Sequence, residues 1–252
     1  SLPGLNRGAQ AQAYIDEFYC DFNELKRQRL DGLIITGANV ANPALDQEAF
    51  WEPLMDVVRW SEHNVASTLC SCLATHALLK YQHGIDRQPL PSKKWGVYSH
   101  RVMQPEHPLL RDINTRFDAP HSRYNDISSK QLEEAGLTVL AESREGGVHM
   151  AVSPDGFRVV YFQGHPEYDG NSLLKEYKRE VLRFLGGELD AAPPFPEHYL
   201  SAQAQAIATR FVEEAATAAA RGIPVPDFPE LELEALLDNT WGDTAKAIFN
   251  NW

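Results

Sequence analysis

Two short stretches hold residue types able to do nucleophilic chemistry. Ser67-Thr-Leu-Cys-Ser-Cys-Leu-Ala-Thr-His76 contains Cys70 and Cys72, two of the chain's three cysteines. In an unbroken strand these two would share a face. If the chain turns at Cys72 they part, one into the core and the other toward chemistry. A cysteine at a strand-to-helix junction meets the unpaired amides and positive dipole end of the helix, which favour the thiolate. The sharp turn also exposes the sulfur, and the amide of the next residue, Leu73, can stabilise an oxyanion. This stretch alone leaves two buried, inert thiols equally open.

The second stretch is Gly164-His165-Pro166-Glu167, directly after the apolar run Val159-Val-Tyr-Phe162. That is the carboxyl end of a buried strand, where α/β proteins place functional side chains. An imidazole takes a proton from a thiol near neutral pH, and a carboxylate two residues on fixes its tautomer. A His beside a Glu is ordinarily just a loop. In a chain that also has a cysteine elbow, the pair points to a Cys72–His165–Glu167 triad.

The elements that must position these residues read as α/β. Residues 9–30 carry Tyr14, Phe18, Phe22 and Leu25 at helical spacing, with Cys20 expected as a packing residue inside that helix. Leu33-Ile34-Ile35, ending at Gly37, predicts a buried parallel strand meeting a loop. Helix follows at 46–61, strand at 64–72, then a helix with Ala74, Ala77, Leu78 and Tyr81 on one stripe, stopped by Gly84. Residues 95–103 and 137–163 alternate or run apolar, divided by the turn signals Gly146-Gly147 and Pro154-Asp155-Gly156. A helix is expected at 171–185 and another near 200–221, within an Ala/Pro-rich stretch read as peripheral.

Composition bounds the function. The chain has 252 residues, 43% hydrophobic and 23% charged, with 35 acidic against 23 basic side chains and a net charge of -12. That balance argues against a general nucleic-acid binder. Three cysteines make no disulfide framework, and none has zinc-site spacing, so no metal is expected. No signal peptide or membrane-length apolar run is seen, which makes the cytoplasm the default. The chain opens with SLPGLNRGAQ and stops in AIFNNW, so it is expected to be part of a longer polypeptide.

The segments DGLIITGANV, STLCSCL, KKWGVYSH, APHSRY (119–124) and GHPEYD (164–169), with Asn239-Thr-Trp241 and the terminal FNNW, resemble the homoserine O-acyltransferase family, usually called homoserine O-succinyltransferases. The resemblance covers most of the chain apart from the Ala/Pro-rich stretch. It implies a three-layer, mostly parallel sheet with flanking helices, of the class I glutamine amidotransferase-like, flavodoxin-like type. It implies one domain over 1–252 lacking native N-terminal strands, with 187–235 as a helical addition. By the same likeness Cys72 is the acyl-accepting nucleophile, His165 the general base and Glu167 its orienting carboxylate. Lys93 and Ser122 line the amino-acid site, and Arg179 holds the substrate carboxylate, as a bidentate guanidinium suits. No cofactor is implied, acyl-CoA being a substrate, and a homodimer is.

Departures from the family pattern fall at Leu73 and His76, where a tryptophan and a glutamine are common. His76, on the helix beneath the elbow, is read as packing or as support behind the thiol rather than as catalytic. Ala41, after ITGANV, stands where the family chooses its acyl donor. A small residue there goes with succinyl-CoA, since a glutamate would repel the succinyl carboxylate. Acetyl-CoA as donor and L-serine as acceptor remain alternatives, the latter differing by one methylene. A glutamine amidotransferase-like hydrolase and a non-catalytic relative are the other classes.

Overall fold

The computed structural model describes residues 1–252 apart from Pro3, Asn6, Arg7, Asn39 and Ala41, so the acyl-donor position Ala41 lies outside the described residues. In chain order the elements are α1 (Ala9–Phe18), α2 (Phe22–Leu25), β1 (Leu30–Ile35), α3 (Trp51–Asn64), β2 (Val65–Ser71), α4 (Leu73–His83), β3 (Gln88–Val102) and β4 (Arg116–Asp126). They continue with α5 (Ser129–Glu134), β5 (Thr138–Ser143), β6 (Gly147–Val152), β7 (Val159–Phe162), α6 (Ser172–Leu185), α7 (Ala202–Arg221), α8 (Glu230–Glu234) and α9 (Gly242–Asn251). Among the described residues seven strands form a mixed sheet with helices flanking it. Two compact units divide the chain: residues 1–88, 127–139 and 150–163, and residues 89–126, 140–149 and 164–252.

In the first unit the strand order is β1-β2-β7-β6. β1, β2 and β7 are parallel, with Ile35 opposite Cys70 and Ser71 opposite Phe162. β6 runs antiparallel to β7, because the Pro154-Asp155-Gly156 turn joins them as a hairpin. β2 has a neighbour on each side and all its residues but Ala66 are buried, as its run of apolar and small side chains suits. α4 is buried from Leu73 to Leu79 and ends at Gly84, whose φ of 67° closes the helix with its amide on the carbonyl of Leu79 or Lys80.

Two expectations are corrected here. β1 pairs in parallel as foreseen but is not buried: among the described residues it is the end strand of the sheet, and Ile34 is 48% exposed. The helix read over 9–30 breaks after Phe18, and Cys20 is exposed between α1 and α2 rather than packed in a helix. The break has a local cause, since Asp21 accepts from the Asn23 amide at 2.7 Å and starts a new helix.

In the second unit the order is β5-β3-β4, with β3 antiparallel to β5. α6 turns Leu173, Leu174, Tyr177 and Val181 inward. The stretch expected to be a peripheral addition supplies much of this core: Tyr199 and Leu200, then Ala204, Ile207, Ala208, Phe211 and Ala215 of α7. Its alanines are the reason, since small side chains let α7 lie close on its neighbours while burying little volume each. Upstream of it, the backbone of Glu197 pairs with β3 on both sides of Gly96, where a Cβ would collide with the Glu197 backbone. Replacing Phe211 with alanine is expected to cost about 3–5 kcal/mol of stability. Leu231→Ala, at an 83% exposed position, should stay within about 0.5 kcal/mol. Denaturant unfolding of the two variants checks this, and a small effect at Phe211 would remove α7 from the core.

Candidate active site

The first unit carries the cysteines. β2 ends at Ser71 and α4 begins at Leu73, so Cys72 alone makes the turn, at φ 53° and ψ -120°. Few side chains tolerate this conformation, and it persists only where surroundings enforce it. Here the Cys72 amide donates to Phe162 O at the end of β7 (2.8 Å). Thr75 Oγ1 lies 2.7 Å from Phe162 O and 3.0 Å from Cys70 O, tying the first turn of α4 to both strand ends. Gly37 closes the other side: a Cβ there would lie 3.3 Å from Cys72 Cβ and 3.5 Å from its sulfur.

Cys70 and Cys72 differ accordingly. Cys70 is fully buried inside β2 with its thiol 3.4 Å from Val160 O, and burial pushes that thiol far above its ordinary pKa. Cys72 is half-buried at the head of a helix, with the Leu73 amide next to it. His76 sits in the same helix, buried, with Nε2 3.0 Å from Gln163 Oε1. Gln163 in turn holds both backbone groups of Ile127, each at 2.8 Å. His76 thus belongs to a buried polar support, the kind of role its position beneath the elbow suggested.

The second unit carries the histidine. His165 is the third residue after β7, and its amide donates to Pro120 O at 2.8 Å. His165 Nδ1 lies 2.9 Å from Glu167 Oε1. A carboxylate only accepts, so Nδ1 bears the proton and the lone pair is on Nε2. Tyr168 stacks on the imidazole, ring centroids 4.2 Å apart.

Lys93 and Ser122 are brought together by a residue the sequence reading did not single out. Glu176 of α6 accepts from Lys93 Nζ (2.9 Å), Ser122 Oγ (2.7 Å) and Tyr168 OH (2.6 Å). Its carboxylate is only 12% exposed. Burial by itself would raise its pKa, but Lys93, Tyr168 and Ser122 outweigh that and hold the carboxyl below the usual range. Spacing could not have found it, because a glutamate one turn into an amphipathic helix looks like surface. Arg179, three residues along α6, does not share in this bond network; it is 61% exposed and donates to Glu180 at 3.1 Å.

Sequence reading also passed over Arg87. Its Nη2 donates to Pro43 O (3.1 Å), and burial lowers its guanidinium while Glu48 and Cys72 favour its charge. Among the described residues no cluster of His, Cys, Asp or Glu is arranged to hold a metal ion, and no helix is long and apolar enough to cross a membrane.

An α/β chain with a strained cysteine elbow and a histidine–carboxylate pair after a strand has the parts of an acyl-transferring or hydrolytic enzyme. Sequence comparison decides the family. Residues 3–252 match the homoserine O-succinyltransferase family model. The whole chain is 57% identical to the homoserine O-succinyltransferase of Methylococcus capsulatus, spanning 71% of that protein. It is 55% identical to that of Nitrosococcus oceani, spanning 70% of its length. The chain belongs to the homoserine O-succinyltransferase family. A solved glutamine amidotransferase from Thermotoga maritima overlaps 95% of this chain and 91% of its own at 12% identity, with a TM-score of 0.47.

Two measurements test this geometry. Iodoacetamide should label Cys20 and Cys72 in the native protein and reach Cys70 only in denaturant, as read by peptide mass. Glu176, with its pKa lowered on folding, contributes stability above the ordinary glutamate value of about 4.3 and loses it as pH falls through the folded value. The stability difference between wild type and Glu176→Gln is therefore expected to be flat from about pH 5 upward and to shrink below about pH 4. A difference that grows on acidification would contradict the Lys93–Glu176 pairing.

Proposed function

We propose that this chain moves the succinyl group of succinyl-CoA to the hydroxyl of L-homoserine through a thioester on Cys72, a step of methionine biosynthesis. The observation that carries the reading is the Cys72 elbow in a member of this family: a thiol turned out of the sheet beside the Leu73 amide.

The reaction runs in two halves. Cys72 gives its proton to His165 Nε2, and its sulfur attacks the thioester carbonyl. The carbonyl oxygen becomes an oxyanion next to the Leu73 amide. Its collapse breaks the bond to the CoA sulfur, which leaves with the proton from His165. The hydroxyl of homoserine then gives its proton to His165, and its oxygen attacks the acyl carbon. The bond to Cys72 breaks, and the sulfur recovers the proton. Glu167 keeps His165 in the tautomer that can do this and stabilises the imidazolium formed midway. The acyl group arrives activated, so no cofactor enters; the enzyme's work is positioning the alcohol and excluding water.

For the acceptor, Lys93 and Ser122 present donors fixed by Glu176, and Arg179 offers a bidentate guanidinium for the α-carboxylate. For the donor, Ala41 leaves room for the succinyl carboxylate, and Arg87 supplies a cation beside the 42–43 loop. The chain is proposed to act in the cytoplasm as a homodimer.

Intact mass after incubation with succinyl-CoA is expected to show a succinyl adduct that Cys72→Ser lacks and that homoserine discharges. An adduct discharged only by serine would move the acceptor, and no adduct at all would sink the acyltransferase reading. Arg179→Ala should raise the KM for homoserine at least tenfold while leaving that of succinyl-CoA within about twofold, as loss of a bidentate charge pair predicts. Arg87→Leu should lower kcat/KM for succinyl-CoA more than for acetyl-CoA, and equal losses would remove Arg87 from donor choice.

A further inference from the structure

We propose that His121 is a positioning residue for His165: a buried histidine, held in one neutral tautomer by a one-way hydrogen-bond chain, against which the Gly164–His165 backbone is set. The inference rests on the reading of His165 as the proton carrier.

The direction of the chain is fixed by its two ends. His100 Nδ1 lies 2.8 Å from Tyr98 O. A carbonyl only accepts, so His100 bears its proton on Nδ1 and offers a lone pair at Nε2. His121 Nε2 is 3.1 Å from that atom. His121 must therefore donate from Nε2, which leaves its Nδ1 as an acceptor. Arg123 Nη1, which can only donate, meets that Nδ1. Arg123 is itself anchored through Nη2, 2.7 Å from Gly146 O and 2.9 Å from Asp126 Oδ1. Every link points the same way, from Arg123 through His121 and His100 to the Tyr98 carbonyl. A second proton on either ring would set two donors face to face.

The surroundings keep both rings uncharged. His100 and His121 are fully buried. The groups facing them are His149 of β6, Arg123 of β4, Lys94 of β3 and His165 itself. Burial, reinforced by Arg123, pushes His100 down to about 4 and His121 well below the usual imidazole value.

Contact with the turn is direct. A Cβ on Gly164 would fall 2.8 Å from His121 Cε1, 2.6 Å from His149 Nδ1 and 2.8 Å from Pro120 O. The next amide, that of His165, donates to the same Pro120 carbonyl. Pro120 and His121 thus fix two successive backbone units, and only glycine lets the turn come this close. A proton carrier displaced by about 1 Å loses up to about a hundredfold in rate, so the platform bears on catalysis without touching substrate.

The test has a part that ignores activity. Long-range proton–nitrogen spectra of the wild-type enzyme at neutral pH should show His121 as the Nε2–H tautomer and His100 as the Nδ1–H tautomer. Either ring charged, or the opposite tautomer, overturns the proposal. In activity, His121→Phe keeps a ring but removes both bonds. It should lower kcat about 10–100-fold with KM for both substrates nearly unchanged, and should shift the acidic limb of the pH–rate profile. His121→Gln, whose amide can still donate to His100, should recover part of the loss. A His121→Phe enzyme with wild-type kcat and pH profile overturns the proposal; if that variant does not fold, the spectra and His121→Gln decide. His165→Asn separates the two readings: an active His165→Asn removes the proton-carrier role, whereas an inactive one beside an unaffected His121→Phe refutes the platform alone.

Discussion

Cys72 is held where a cysteine does not go willingly. A non-glycine residue at φ 53° and ψ -120° costs about 1–3 kcal/mol of backbone strain, and three contacts keep it there. The Cys72 amide is bound to Phe162 O, the Thr75 hydroxyl lies between Phe162 O and Cys70 O, and Gly37 packs against the Cβ. The two contacts to Phe162 O need the parallel register of β2 and β7, which puts Ser71 level with Phe162. Shift that register by one residue and the carbonyl that anchors the turn is gone. The architecture of the first unit therefore serves the elbow as much as the elbow serves chemistry.

The second unit solves a different problem, that of keeping charged and titratable groups in fixed states inside a protein. Glu176 is buried but fully engaged by Lys93, Ser122 and Tyr168, so it remains a carboxylate. His165 is given its tautomer by Glu167 and its ring plane by Tyr168. Tyr168 links the two groups, stacking on the imidazole while its hydroxyl donates to Glu176. Its backbone carbonyl is in turn held by the Trp241 indole at 2.7 Å. Through that bond the C-terminal segment reaches Tyr168.

Much of the order of helices and strands was legible because apolar periodicity reports burial directly, although β4 and α5 went unread. The ends of α4, β7 and α6 fell close to expectation, each being marked by a glycine or by a sharp change of polarity. What the sequence hid was context. Ile34 has the same β-branched signature whether its strand is central or at an end, and it turned out exposed. Tyr14, Phe18 and Phe22 keep helical spacing across a break that one Asp21 cap enforces. In the site, the triad types and Lys93 and Ser122 stood out by motif, while Glu176 did not. Its partners come from two strands and a loop, 83, 54 and 8 residues away, and no local pattern records that convergence. The alanine-rich helix misled for a related reason: low side-chain volume reads as surface, yet Ala204, Ala208 and Ala215 are wholly buried because α7 comes close enough to use them.

The pair of cysteines two residues apart shows how narrow such a decision is. Had β2 run two residues further, both sulfurs would lie on one face and share one fate. The strand instead ends at Ser71, and the first helical turn begins at once. Thr75 spans this boundary. As the third residue of α4 it can reach back to the carbonyl of Cys70, and a valine of the same shape could not. Its single hydroxyl proton lies within reach of both Cys70 O and Phe162 O, the latter also accepting from the Cys72 amide. The two thiols part at this boundary: Cys70 is sealed among strand atoms, with burial keeping it a thiol, and Cys72 is turned out beside the Leu73 amide. Reactivity at this site is first a matter of where a strand stops, and only then of which base stands near the sulfur.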